Sequence, residues 1–254
     1  MKKIFLISCR DYRSYFASPI AYIFMLGFLL IIGTMFFNNL YSFWQFTMRQ
    51  NPYGGPPPSI TDGILRPLYG NMNVIFLFVI PAITMRLFAE EKKLHTIELI
   101  LTAPVTLFQI VLGKFFSAFT FVLTILATTL VYPIILFSVG NPDLGAIFTN
   151  YLGTLLLVSC YISVGLLYSA MTENQIIAYV LALGTCLFLW IVSWYGQTVS
   201  PPWNDLANFL SLVGHYYQTF ARGIIKTSDI VYYFSFIGFG LFLTYRVLDS
   251  YRWR

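Results

Sequence analysis

The sequence predicts an all-α protein that crosses a membrane six times. Of its 254 residues, 58% are hydrophobic and 10% are charged, and the mean hydropathy is +0.73. A soluble domain usually carries about 25% charged residues, so a water-soluble fold of this size could not cover so much apolar surface. The apolar residues form six long stretches, and about 20 helical residues cross the hydrocarbon layer. We therefore expect a single transmembrane domain over residues 1–254, without a soluble domain.

The N-terminal part of the chain predicts an interfacial helix followed by the first span. Residues 1–18 mix charged residues with apolar and aromatic ones, and Ser18-Pro19 ends the stretch. This mixture is typical of an amphipathic elbow helix in the interface, and a simple cytoplasmic tail is the alternative. The first span follows at about 19–40. Residues 41–67 then form an outer loop, because they contain the turn-rich sequence Asn51-Pro52-Tyr53-Gly54-Gly55-Pro56-Pro57-Pro58.

Charged residues bound the apolar stretches that follow. We place the remaining spans at about 68–87, 108–138, 146–171, 175–196 and 229–247. Between the second and third spans, residues 89–104 predict a cytoplasmic helix that ends near Pro104. Outer helices are expected at about 203–226, dipping into the bilayer. An irregular loop at that depth would leave backbone groups without hydrogen bonds.

The distribution of basic residues predicts the orientation. Six spans place both termini on one side of the membrane. The face with both termini and residues 88–107 then has eleven Lys and Arg residues, whereas the other face has only Arg49, Arg66, Arg222 and Lys226. Cytoplasmic loops carry an excess of basic residues, so the first face is cytoplasmic. Basic residues at the edges of spans do not predict a nucleic-acid partner.

Signatures of catalysis and of cofactor binding are missing from the sequence. No GxxxxGK[ST] phosphate-binding loop occurs. His95 and His215 are predicted on opposite sides of the membrane, and the three cysteines have no zinc-site spacing. No charged residue lies in the middle of a predicted span, where ion-coupled carriers usually have one. We therefore expect no catalytic, cofactor or metal site in this chain, and energy that arrives through another subunit.

Several stretches carry a resemblance to a known family. They are Glu90-Glu91-Lys92-Lys93, Thr96-Ile97-Glu98-Leu99, Leu101-Thr102-Ala103-Pro104-Val105, Gln109-Ile110-Val111-Leu112-Gly113-Lys114-Phe115, Thr172-Glu173-Asn174-Gln175, Phe220-Ala221-Arg222-Gly223 and Leu248-Asp249-Ser250-Tyr251-Arg252-Trp253-Arg254. Together they resemble ABC-2 type permeases, and most closely the gliding-motility-associated (GldF-like) branch. The similarity covers nearly the whole chain. One departure is His95, where similar sequences often have Gly before Thr-Ile-Glu.

The resemblance implies both an architecture and a partner. Such permeases have an elbow helix, six spans, a cytoplasmic coupling helix and short outer helices, as in type V exporters. It implies a permease of the bacterial cytoplasmic (inner) membrane that works with a second permease, identical or related. A separate ABC ATPase subunit binds ATP and Mg and drives export. In the gliding-motility branch, an auxiliary membrane subunit with a large outer domain is often present. A channel or a force-transmitting component without solute transport is the alternative, and an integral-membrane enzyme is a third.

The cytoplasmic segment supplies the candidate coupling residues. They are Glu90, Glu91, Leu94, Glu98, Leu101 and Pro104. In a continuous helix, Glu91 and Glu98 would share one face two turns apart and could meet a basic groove on an ATPase. Leu94, Ile97 and Leu101 would form the neighbouring apolar stripe. A merely solvated helix face is the alternative interpretation.

The predicted orientation can be tested with single cysteines. In intact cells, a membrane-impermeant thiol reagent should label a cysteine at position 55 and should not reach one at position 93. Permeabilised cells should label both. Labelling at position 93 but not at position 55 in intact cells would contradict the topology.

Overall fold

Helices make up the fold. The computed structural model describes residues 2–17, 19–48, 59–98, 104–198 and 203–251, and every regular element within these ranges is helical. The helices are α1 (Lys2–Ala17), α2 (Pro19–Met48), α3 (Arg66–Thr84), α4 (Arg86–Lys93), α5 (Leu107–Thr129), α6 (Val131–Val139), α7 (Leu144–Met171), α8 (Gln175–Thr198), α9 (Trp203–Leu210), α10 (Leu212–Gln218) and α11 (Thr227–Tyr251). A π-helical turn at Thr61–Leu65 precedes α3, and a 3-10 turn at Phe220–Arg222 follows α10.

Among the described residues, six helical stretches are long and apolar enough to cross a membrane, which confirms the predicted fold class. They are Ala21–Met48, Thr61–Lys93, Leu107–Ser138, Leu144–Met171, Gln175–Trp194 and Thr227–Tyr251. The first stretch continues to Met48, well past residue 40, which is the predicted end of the first span. A helix need not stop where the hydrocarbon layer stops. The turn-rich sequence at 51–58 lies outside the described residues.

Helix α7 is the centre of the bundle. About 72% of the residues in its most apolar part are buried, compared with 22% of those in α2, α8 and α11. Small residues let its neighbours approach closely. A Cβ atom on Gly165 would lie 1.9 Å from the Thr84 hydroxyl oxygen of α3, and one on Gly240 of α11 would lie 2.8 Å from the Ser163 hydroxyl oxygen. Lipid offers no hydrophobic drive between helices, so such close contacts hold the bundle together.

Helix α1 packs along the first half of α5. Ile7 lies against Gly113, where a Cβ atom would come within 2.7 Å of the isoleucine side chain. The hydroxyl groups of Tyr12 and Thr124 are 3.0 Å apart. Phe5 and Leu6 are 72% and 65% exposed on the other side of α1. This arrangement gives α1 one face for the bundle and one apolar face for lipid.

Helices α9 and α10 and the 3-10 turn are anchored to the spans. His215 Nδ1 of α10 lies 3.0 Å from the Asp229 carboxylate at the start of α11. The Tyr233 hydroxyl of α11 donates to the Leu212 carbonyl at 2.7 Å. Tyr216 and Phe220 rest directly on Gly153 of α7. The segment therefore packs as part of the bundle, on the face opposite the α3–α4 boundary.

The contact at Gly153 makes a testable packing prediction. A Cβ atom at this position would lie 2.5 Å from Phe220 Cβ and 3.0 Å from Tyr216 Cδ2. Gly153→Ala should therefore lower the free energy of unfolding by about 1–3 kcal/mol, the usual cost of over-packing a core. Denaturant unfolding in detergent measures this. Gly184→Ala on α8 is the control, because nothing lies within 4 Å of its Cβ position. Equal stability of the two variants would contradict the packing described here.

Candidate functional site

The segment that contains the candidate coupling residues starts at a break between α3 and α4. Pro81 lies inside α3, and Met85 separates the last residue of α3 from the first residue of α4. Ser169 of α7 satisfies the backbone groups at this break. Its hydroxyl donates to the Met85 carbonyl at 2.9 Å and accepts from the amides of Phe88 at 3.0 Å and Ala89 at 3.1 Å. One buried hydroxyl group therefore fixes the start of α4 to the end of α7.

Lys114 of α5 lies at the centre of a cluster of charges. Its side chain is only 2% exposed, and its amine lies 2.7 Å from the Glu91 carboxylate and 3.5 Å from the Asp11 carboxylate. The amine also donates to the Leu87 carbonyl at 2.6 Å. Arg10 adds a second cation, 2.8 Å from Asp11 and 3.4 Å from Glu91. We call Arg10, Asp11, Glu91 and Lys114 the charge junction, because it joins α1, α4 and α5.

Lys92 connects α4 to two further spans. The side chain is buried, although its neighbour Lys93 is exposed. Its amine donates to the carbonyl of Ala170 near the C-terminus of α7 and lies 4.4 Å from the centre of the Tyr251 ring of α11. A cation near a helix C-terminus is stabilised by the helix dipole and by the free carbonyl groups there. Helix α4 is therefore bonded to α1, α5 and α7 and contacts α11.

Two of the candidate coupling glutamates form ion pairs within the permease. Glu91 belongs to the charge junction, and its side chain is only 19% exposed. Glu90 pairs with Arg86 one turn earlier at 3.4 Å, and both side chains are about half exposed. The prediction that Glu91 lies on an open helix face is therefore wrong, because its carboxylate neutralises the buried ammonium of Lys114. Glu98 is exposed, as the sequence predicts.

The predicted continuous helix over 89–104 is also wrong within the described part of that segment. Helix α4 ends at Lys93, and the chain turns at 94–96. The amide of Thr96 donates to the Glu91 carbonyl and that of His95 to the Lys92 carbonyl, which is a Schellman motif. His95 takes the left-handed conformation with φ of 55° that this motif requires. Gly is the usual residue there, which explains why similar sequences often have Gly at this position.

The break separates residues that the helical spacing had placed together. Leu94 is 62% exposed at the turn, whereas Ile97 is only 3% exposed. They therefore do not form one apolar stripe. Leu101 lies outside the described residues. Pro104 is exposed, and its carbonyl accepts a hydrogen bond from Lys3 of α1.

Comparison with protein families gives the chain its class. A family model described as ABC-2 family transporter protein matches residues 50–223, which is most of the chain. The chain belongs to the ABC-2 transporter family. A search of curated proteins gives no match. The matched region contains α3 to α10, and with them the break at Met85, Ser169 and Lys114.

Membership has direct consequences for this ABC-2 permease. It is a multi-pass membrane protein, the membrane component of an ABC exporter, and its family implies an ABC ATPase as partner. Three residues that hold α4 in place are not among the candidates predicted from the sequence: Lys114, Ser169 and Lys92. Lys114 offers a recognisable signal, because a basic residue lies inside an otherwise charge-free helical stretch of the permease. Ser169 offers none, since hydroxyl groups are common in spans.

The charge junction can be tested by separating its partners. Lys114→Met removes the buried cation and leaves the Glu91 carboxylate with only Arg10 beside it. Breaking one partner of a buried ion pair typically costs about 3–5 kcal/mol, which unfolding in detergent would detect. Adding Glu91→Gln should recover part of that loss, because the uncompensated carboxylate is then gone.

Arg86→Met is the matched control for this test. It breaks the half-exposed Arg86–Glu90 pair on the same helix. Exposed pairs contribute about 0–1 kcal/mol, so this variant should stay close to the parent. If Lys114→Met lowers the free energy of unfolding no more than Arg86→Met does, the charge junction does not stabilise this end of the bundle.

Proposed function

We propose that the chain exports a substrate by receiving force from its ATPase on the turn after α4. The exposed residues of this turn are Lys93, Leu94, His95 and Glu98, which we call the tip. The observation that carries the proposal is the 62% exposure of Leu94 in a segment whose helix is otherwise fixed by buried bonds. A partner that covered this side chain would gain about 1.5–3 kcal/mol from burying it, and the charged and polar residues around it would help to orient that partner.

The bonds around α4 support the route by which force would travel. A push on the tip reaches α4 directly, because α4 ends at the tip. From α4, Ser169 and Lys92 lead to α7, and Glu91 leads through Lys114 to α5 and α1. These contacts are short and mostly buried, so α4 would move the helices rather than bend alone. Rigid elements joined by discrete contacts are what carries coupling between distant sites.

The setting of this permease follows from the same proposal. The tip, the charge junction and both termini face the cytoplasm of a bacterial inner membrane, and the outer helices α9 and α10 face away from it. Two permeases, identical or related, pair with ATPase subunits that hold ATP and Mg. The resemblance to the GldF-like branch also favours an auxiliary membrane subunit with a large outer domain.

Charge reversal at the tip tests the proposal. Leu94→Ala combined with Glu98→Lys should weaken co-purification with the ABC ATPase about tenfold or more, because loss of an interface anchor costs roughly 1–2 kcal/mol. Stimulation of ATP hydrolysis by the permease should fall with it. Thermal unfolding should stay unchanged, since both side chains are exposed.

Asp205→Lys is the matched control. It reverses one exposed carboxylate on α9, at the opposite end of the bundle, and should leave ATPase binding intact. Glu91→Lys would be a poor substitute for the tip variant, because it would place a second ammonium against Lys114. If the double variant at the tip binds and stimulates its ATPase like the parent, the tip is not the docking surface.

A further inference from the structure

Five polar side chains meet between α3, α7 and α10 in the outer half of the bundle. They are Tyr69 and Asn73 of α3, Asn150 and Thr154 of α7, and Tyr216 of α10, and we call them the outer polar cluster. All five are at most 3% exposed. None carries a charge. Polar residues of this kind are expensive to bury in a membrane domain unless their hydrogen bonds are satisfied.

Only part of this hydrogen-bonding capacity is used within the protein. The Tyr216 hydroxyl donates to the side-chain amide oxygen of Asn150 at 2.8 Å. The side-chain NH2 group of Asn150 donates to the Ala146 backbone carbonyl at 2.7 Å. The Tyr69 hydroxyl, both polar atoms of the Asn73 amide and the Thr154 hydroxyl have no partner among the described residues. Buried polar groups in proteins nearly always have a hydrogen-bond partner, so four unmatched polar atoms on two facing helices call for one.

The unmatched groups are close together. Tyr69 and Asn73 are one helical turn apart on α3, and so are Asn150 and Thr154 on α7. The Tyr69 ring lies 5.1 Å from the ring of Tyr151, the neighbour of Asn150. Burial raises the pKa of Tyr216, and the Thr154 and Asn73 side chains lie close enough to its hydroxyl to oppose that rise without making a full hydrogen bond to it. Both side chains therefore approach the same phenolic oxygen from different helices.

The chemistry of the cluster defines what it can bind. Asn73 offers two N–H donors and one acceptor oxygen, and the hydroxyl groups of Tyr69 and Thr154 each donate and accept. The site needs a guest that also donates and accepts. It supplies no carboxylate or ammonium to balance an ion, and Arg66, the nearest cation along α3, is drawn toward Asp62 at 4.0 Å. An uncharged, small hydroxyl-type molecule fits these requirements.

We propose that the outer polar cluster is a binding site for water inside the membrane domain. Water bridges Tyr69, Asn73 and Thr154, and the Tyr216 hydroxyl completes its surroundings from α10. Buried waters typically make about three hydrogen bonds to groups that would otherwise lack a partner, which this set provides. The hydrated site joins the outer helices to α3 and α7 through bonds that can be exchanged one at a time.

In-place radiolytic labelling tests the proposal. X-ray irradiation forms hydroxyl radicals from water where it is bound, while a scavenger removes those formed in bulk solvent. Tyr69 should be labelled several-fold more than Tyr233. Tyr233 is the matched control, because it is equally buried and its hydroxyl already donates to a backbone carbonyl at 2.7 Å. Equal labelling of the two tyrosines would overturn the proposal.

A substitution gives an independent answer. Asn73→Leu keeps a similar volume and removes the amide. If water satisfies that amide, the variant should unfold at a lower temperature and its Tyr69 labelling should fall toward the level of Tyr233. If the amide has no guest, removing it should raise the unfolding temperature, and the water site would then be rejected. Should the variant fail to fold, the comparison of Tyr69 with Tyr233 in the parent protein still decides.

Discussion

Close approach between helix backbones is the constraint on which this structure depends. In lipid, helices gain nothing from hiding apolar surface against one another, so packing contacts and hydrogen bonds must hold them together. Helix α7 meets this constraint with Gly153, Ser163, Gly165 and Ser169. Each lets a different neighbour come within contact distance. Helices α3, α4, α10 and α11 are positioned directly by this central one.

At the end of the bundle that contains α4, ion pairs stabilise the structure in addition to close packing. Lys92 and Lys114 are buried, but each has acceptors at short range, and the charge junction balances Lys114 with two carboxylates. Uncompensated ammonium groups could not remain buried here. Because α4 holds or contacts these groups, the segment after the second span is rigidly joined to the bundle. This rigid joint fits the proposed coupling to an ATPase, since a flexible segment would absorb the motion.

The two ends of the bundle use polar groups differently. At the end that contains α4, nearly every polar atom of the charge junction is matched by another of the opposite kind. In the outer polar cluster, Asn73 and its neighbours retain unmet capacity. A matched network favours one arrangement, whereas an exchangeable one lowers the cost of rearranging. This difference fits the proposed function, in which force enters the permease at the end that contains α4.

Composition and charge distribution by themselves determined the class of the protein. Six apolar stretches of about 20 residues or more have the length of spanning helices rather than of barrel strands, and a helix satisfies its own backbone groups in lipid, so the all-α fold followed from elementary physics. The exposure of Glu98 was also within reach of the sequence. The tertiary structure decided the role of Glu91, because its partner Lys114 is distant along the chain and helical spacing carries no information about such pairs. It also decided where α4 ends, since a left-handed residue at His95 breaks the periodicity from which the longer helix was predicted.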